Sequence, residues 1–176
     1  MIIWILGKSG SGKTTLANAL LNLKKFKRKK WIHIDGDSIR KIFNDNKDFS
    51  VRNRLNNAER ISKIVHFLGK HKLNLIVSSL TNFKYWLNWN RKNLKNYFEI
   101  YLDVDLNTLL KRDKKNLYKR ALSKKIKNVV GVDIKFNIPH KPDLKINNNK
   151  HNKNLKSVCK IIFNNKNFLR MLKNAH

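Results

Sequence analysis

The sequence predicts a three-layer α/β/α domain, with a parallel β-sheet covered by helices on both faces. Three observations carry this. Short apolar runs of strand length alternate with longer amphipathic stretches of helical period. That order persists along the chain, as in units joined by helical crossovers rather than by hairpins. The 176 residues are enough for one core without staples, and no internal repeat divides them, so residues 1–176 are read as one domain.

The elements follow in order. Ile2–Leu6 (IIWIL) is apolar throughout, as a strand buried on both faces must be. With no basic residues before it and Gly7-Lys8 directly after, MIIWIL is read as this strand and not as a leader peptide. Residues 14–23 have helical spacing, WIHI at 31–34 alternates at period two, and 38–43 form a short helix. From Val51 to Lys70, Leu55, Ile61, Ile64, Val65 and Leu68 make the apolar stripe of a longer helix. A buried strand at 73–78, an aromatic-rich helix at 83–94, a strand at 98–103 and a short helix from Leu106 come next. Residues 111–137 are basic and loop-like, with a helical piece at 117–122. A last strand at 144–146 and a closing helix at 155–163 are joined by an Asn- and Lys-rich connection.

Composition narrows the function. One cysteine, Cys159, excludes a disulfide framework and suits a reducing cytoplasm; it is read as a small hydrophobe in the last helix. No apolar run approaches the roughly 20 residues that cross a bilayer. The net charge of +29 raises nucleic-acid binding. Against it, the lysines are spread along the chain with abundant Asn and Ile rather than striped, so a solvated surface and an anionic small-molecule partner are preferred.

The strongest signal is GKSGSGKT at 7–14, between the first strand and the first helix. It fits the phosphate-loop pattern in full. Gly7, Lys8, Ser9, Gly10, Ser11 and Gly12 would turn their amides toward phosphate oxygens at a helix N-terminus. Lys13 would reach the β- and γ-phosphates, Thr14 would complete a Mg²⁺ shell, and Thr15 would support the turn. A nucleoside triphosphate is therefore the expected donor, on a P-loop fold of nucleotide-kinase type.

The second signal is IDGD at 34–37, which brings two carboxylates together in a chain with 11 acidic and 40 basic residues. Asp35 stands at the carboxyl end of the second strand, where open α/β sheets bind ligands. Asp37 stands where it could cap the following helix. One carboxylate would serve the Mg²⁺ side and the other would accept the acceptor's proton. Asp37 is the first choice for the base and Asp35 for the metal or its second shell, with the reverse left open.

On these residues the chain resembles the adenylylsulfate kinase family, which uses MgATP to phosphorylate the ribose 3′-hydroxyl of adenylyl sulfate. GKSGSGKTT is similar to the family loop, with Lys8 in place of leucine, and IDGDSIR is similar to its LDGDxxR, with Arg40 matching. DFSVRNRLNNAERI resembles GFSxxDRxENxRRI and places Phe49, Arg54, Asn57 and Arg60. The resemblance implies that Phe49 stacks on the acceptor base, while the arginines and Asn57 grip its charged end and ribose. KRDKKNLYKRAL resembles the family's lid and gives Arg112 and Lys119 basic roles; GVDIKFNIPHKPDL matches its proline-spaced segment. Family members are often dimers, so a homodimer is one expectation. YWLNW at 85–89 is read as core before interface.

The departures fall at the acceptor side. SFISPF becomes SSLTNF at 78–83, with Thr81 at the serine, and FTG becomes VVG, with Val129 replacing the second aromatic face. Adenylyl sulfate is therefore the first expected acceptor. Cytidine diphosphoramidate, used by kinases of the same group in capsule modification, is the alternative. A basic nucleic-acid-binding protein on an inactive kinase fold is the non-enzymatic reading.

Overall fold

The computed structural model describes residues 1–45, 49–80, 83–113, 115–149 and 155–175. β1 (Ile2–Leu6) leads through the glycine-rich loop into α1 (Lys13–Leu21) and a single turn, α2 (Lys24–Lys27). β2 (Trp31–Asp35), α3 (Gly36–Ile42) and the long α4 (Val51–Lys70) follow, then β3 (Asn74–Ser79) and α5 (Lys84–Asn93). The second half holds β4 (Tyr97–Asp103), α6 (Leu106–Lys111), α7 (Leu117–Leu122), β5 (Leu144–Asn147), α8 (Leu155–Asn164) and α9 (Lys166–Lys173).

The five strands form one parallel sheet in the order β2-β3-β1-β4-β5. β1 is central and buried along its length, which explains why its sequence lacks a polar face. Its alternation sends Ile3 and Ile5 into a layer with Leu16, Ala17 and Leu20 of α1, Val158, Cys159 and Ile162 of α8, and Phe168 and Leu172 of α9. Ile2, Trp4 and Leu6 face the other layer, with Ile61 and Val65 of α4 and Leu87 of α5. This is the expected three-layer arrangement. Because the chain leaves β1 for β2 on one side and β3 for β4 on the other, the strand order switches direction at the sheet centre. Such crevices receive ligands in open α/β sheets.

A third, small core packs Val104, Leu109, Tyr118, Ala121 and Val129 under α6 and α7. Boundaries shift by one or two residues from the sequence expectation at several elements. Two helices, α2 and α9, lie outside it. α2 is one turn of lysines around the buried Phe26. α9 is capped by Asn165, whose side chain accepts from the Phe168 amide, so 155–163 is not the closing helix. Leu55 is exposed, unlike Ile61 and Val65. At about 100° per residue it falls off the stripe those residues make. In α5, Trp86 and Leu87 are buried while Tyr85 is exposed, so YWLNW is mainly core. No helix among the described residues is long and apolar enough to cross a membrane.

Candidate active site

The site lies at the carboxyl ends of β1, β2 and β3. The loop after β1 is shaped by close approach. A Cβ on Gly7 would stand 2.6 Å from the Ser11 hydroxyl and 2.7 Å from the Leu102 carbonyl. Gly12 opens α1 in the left-handed region at φ +96°, so the amides of the first turn face outward as an anion cradle. Ser11 is buried, whereas Thr14 and Thr15 at the helix start are exposed. The Lys13 ammonium arches back to donate to the Lys8 carbonyl at 2.8 Å. Lys8 sends its own ammonium to the Val104 carbonyl at 2.9 Å, tying the loop to the segment after β4.

Packing around Lys13 disfavours its charge and brings its pKa down to about 8, against the upward pull of Asp37 and Asp35. The protonated form is the one that attracts phosphate. Nucleotide binding to the free protein should therefore be strongest below pH 8 and weaken as the pH rises through that value, which titration calorimetry from pH 6.5 to 9.5 would show. Binding that stays flat across this range would exclude Lys13 as the titrating phosphate ligand.

Asp35 ends β2 and accepts from every side. Its Oδ1 takes the Asp37 and Ser38 amides, each at 3.1 Å, and its Oδ2 takes the hydroxyls of Thr14 at 3.0 Å and Ser78 at 2.9 Å. Burial pushes its pKa up, but the bonds from Ser78, Ser38, Thr14 and the Asp37 amide outweigh it and hold the carboxyl below its ordinary value. The sequence reading offered Asp37 as the helix cap; the cap is Asp35. α3 starts at Gly36, two residues before the expected Ser38, which moves the capping position back by as much. Asp37 is left exposed in the first turn, and its carboxylate has no hydrogen-bond partner among the described residues.

This arrangement bears on Mg²⁺. With its proton given to Asp35, the Thr14 oxygen keeps its lone pairs for a cation. Asp35, with donors on both oxygens, suits a place behind the Thr14 oxygen better than direct ligation. No cluster of three or more His, Cys, Asp or Glu that could hold a metal exists among the described residues.

On the acceptor side, Asn57 on α4 donates to the Gly36 carbonyl at 3.2 Å, joining α4 to the two-aspartate turn. The guanidinium carbons of Arg40 and Arg54 lie 5.1 and 5.5 Å from the Phe49 ring centre. Arg54 also donates to the carbonyls of Phe49, at 2.9 Å, and Asn128, at 2.6 Å. Burial, then Arg40, lowers the Arg54 pKa. Arg40, Phe49, Arg54 and Asn57 are thus brought together. Arg60 pairs with Asp45, whose carbonyl also accepts from Arg40 at 3.4 Å, and lies over Phe43 at 4.5 Å, in a cavity of about 370 Å³ that Glu59, Lys63 and Ile64 also line. Val129 is buried in the small third core, so its side chain presents no face to a ligand. Thr81 lies outside the described residues.

In the lid segment, Asp113 takes the amides of Leu117, Tyr118 and Lys119 and so starts α7. Lys119 is exposed on that helix. Tyr118, buried, donates its hydroxyl to the Ser9 carbonyl at 2.8 Å and fastens α7 to the phosphate loop. Arg112 reaches the loop through Asn148: it donates to the Asn148 carbonyl at 2.8 Å, and the Asn148 side chain donates to the Ser11 carbonyl at 3.0 Å. Sequence reasoning missed Tyr118, Asn148, Ser78 and His33. Tyr118 sits in the lid motif and was available to it, whereas Asn148 is hidden in an asparagine run.

Comparison with known proteins agrees with this geometry. A family model described as adenylylsulphate kinase matches residues 1–147. The chain is 42% identical over 161 residues to cytidine diphosphoramidate kinase of Campylobacter jejuni, covering 92% of this chain and 93% of that protein. It is 32% identical to a probable adenylyl-sulfate kinase of Archaeoglobus fulgidus, covering 86% and 98%. Its fold superposes on the Mycobacterium tuberculosis adenylylsulfate kinase solved with AMPPNP and APS at a TM-score of 0.80, with 24% identity and 96% of each chain covered. Shikimate kinase from Aquifex aeolicus matches at a TM-score of 0.56 with 18% identity, covering 99% and 98%. A phosphate loop, a facing pair of aspartates and a family match over most of the chain lead to one conclusion: the chain belongs to the adenylylsulphate kinase family, phosphotransferases with the P-loop kinase fold.

Proposed function

We propose that the protein is an ATP-dependent kinase that phosphorylates the ribose 3′-hydroxyl of a nucleoside carrying a phosphosulfate-like 5′ group. The observation that carries this reading is the convergence of Lys13, Thr14, Asp35 and Asp37 at one end of the sheet. Asp37, exposed and with no hydrogen-bond partner for its carboxylate among the described residues, accepts the proton of the 3′-hydroxyl as the hydroxyl oxygen attacks the γ-phosphorus. The bond from that phosphorus to the β–γ bridging oxygen breaks, and ADP leaves. Lys13 and the loop amides balance charge on the transferred group. Thr14 would hold Mg²⁺ with Asp35 behind it; the ion, when bound, neutralises charge on the β- and γ-phosphates. Arg40 and Arg54 bind the anionic end of the acceptor, and Phe49 supports its base.

We put cytidine diphosphoramidate ahead of adenylyl sulfate, the reverse of the order drawn from the sequence alone, and two observations support this. One is the 42% identity to a kinase of that name. The other is the buried aliphatic side chain at position 129, which supplies no second stacking face and so suits a smaller pyrimidine. Adenylyl sulfate stays as the second reading on the strength of the family model and the 32% relative. An assay of ADP release with both acceptors side by side decides the order, and turnover with neither would sink the acceptor class. The non-enzymatic reading predicts the opposite pattern: nucleic acid retained at moderate salt and no ATP turnover.

Replacing the Phe49 ring should lower acceptor kcat/KM about 5- to 150-fold, from ~1–3 kcal/mol of base stacking, and leave the KM for ATP unchanged. Equal losses for Phe49→Ala and Phe49→Leu would support stacking. Full activity in Phe49→Ala would remove the ring from the site.

A further inference from the structure

His33 has no role in the reaction derived above, yet it stands two hydrogen bonds behind Thr14's partner Asp35, with Ser78 between them. The strand period puts His33 and Asp35 on the same face of β2, and the register sets Asp35 opposite Ser78 and His33 opposite Ile76. The Ser78 hydroxyl lies 2.9 Å from Asp35 Oδ2 and 2.9 Å from His33 Nε2. Counting protons fixes the direction of these bonds. An ionised Asp35 only accepts, so Ser78 gives it the one hydroxyl proton it has. Ser78 can then only accept from His33, whose Nε2 must carry hydrogen. Thr14 gives its proton to the same Oδ2 from the other end. The result is a directed chain in which His33 donates to Ser78, Ser78 to Asp35, and Thr14 to Asp35.

We propose that His33 is a positioning residue for the cation side of the site. By donating to Ser78 it fixes the Ser78 hydroxyl toward Asp35, which holds Oδ2 where it takes the Thr14 proton and leaves the Thr14 oxygen open to Mg²⁺. Without the imidazole, the serine hydroxyl is free to rotate to other acceptors. The Thr14 proton then loses its fixed partner, and the oxygen loses its orientation toward the ion. Loss of a hydrogen bond to a metal ligand itself weakens metal affinity about 10- to 100-fold; His33 acts two bonds further out, so the low end of that range is expected. A packing role would be served equally by an apolar side chain of similar size. A relay role requires an N–H at this point.

The proposal rests on the kinase reading, so its test avoids the acceptor. Mn²⁺, a spectroscopically visible substitute for Mg²⁺, is titrated into the full chain saturated with a non-hydrolysable ATP analogue. Its affinity is read by electron paramagnetic resonance, beside the melting temperature of each variant. His33→Leu should weaken the ion about tenfold with the analogue still bound. His33→Gln, whose amide offers an N–H near the place of Nε2, should come back to within about threefold of the parent. Adding His33→Leu to Ser78→Ala should change nothing further. Equal ion affinity in His33→Leu and the parent overturns the proposal, as does His33→Gln being no better than His33→Leu at unchanged melting temperature. Should His33→Leu fail to fold, Ser78→Ala carries the test, and an unshifted ion affinity there is equally fatal. A parent that does not bind the analogue would instead overturn the kinase reading itself.

Discussion

Asp37→Asn should fold as the parent does and lose about 10²- to 10⁴-fold in turnover, the range associated with a general base. The expectation of an intact fold comes from α3, whose first amides are taken by Asp35 and not by Asp37. The KM for ATP should change little, because in the proposed function the loop and Lys13, not Asp37, hold the phosphates. Steady-state kinetics with the accepted nucleotide, beside a thermal melt, checks both halves. Retained turnover would move the base to Asp35. The same measurements on Asp35→Asn separate the two roles. Asparagine is also a good cap, so helix α3 survives there, while the loss of charge should raise the Mg²⁺ concentration needed for activity.

Lys13→Ala should cost at least about a hundredfold in kcat/KM for ATP, as expected when a preorganised group facing developing charge is removed. The melting temperature should not fall in proportion. Packing already disfavours the Lys13 charge, and its one hydrogen bond goes to the neighbouring Lys8 carbonyl rather than to a distant element. Lys13→Arg should rescue little, since a planar fork cannot take the place of a compact ammonium inside the loop. Activity within a few-fold of the parent in Lys13→Ala would remove the loop from the chemistry.

What the sequence disclosed and what it withheld divide along a physical line. The phosphate loop and the two aspartates were legible because their chemistry depends on neighbours within a few residues, which a motif records. The layers were legible because β1 is apolar on both faces and α4 has a helical stripe. Residues that act across the sheet were not. His33 meets Ser78 only because β2 lies beside β3 in one register, and Tyr118 meets Ser9 across 109 positions. The Asp45 bridge between Arg40 and Arg60 was hidden for the same reason, since Arg40 donates to its carbonyl while Arg60 pairs with its carboxylate. The cap was misplaced by a boundary of two residues, within the usual uncertainty of helix ends.

The grip on Asp35 has a consequence for how the chain tolerates change. One carboxylate starts α3, ties the end of β2 to β3 and to the start of α1, and orients the hydroxyl expected to face the metal. Its lowered pKa means that this contribution to stability is present at neutral pH and lost as the pH falls below the ordinary carboxylate range. In a random library screened for both abundance and activity, most substitutions at Asp35 should disappear from both pools together. Asp37 variants, two residues away, should persist as abundant, inactive protein. Tolerance at these neighbouring positions is therefore set by different pressures: folding and catalysis jointly at the first, catalysis alone at the second.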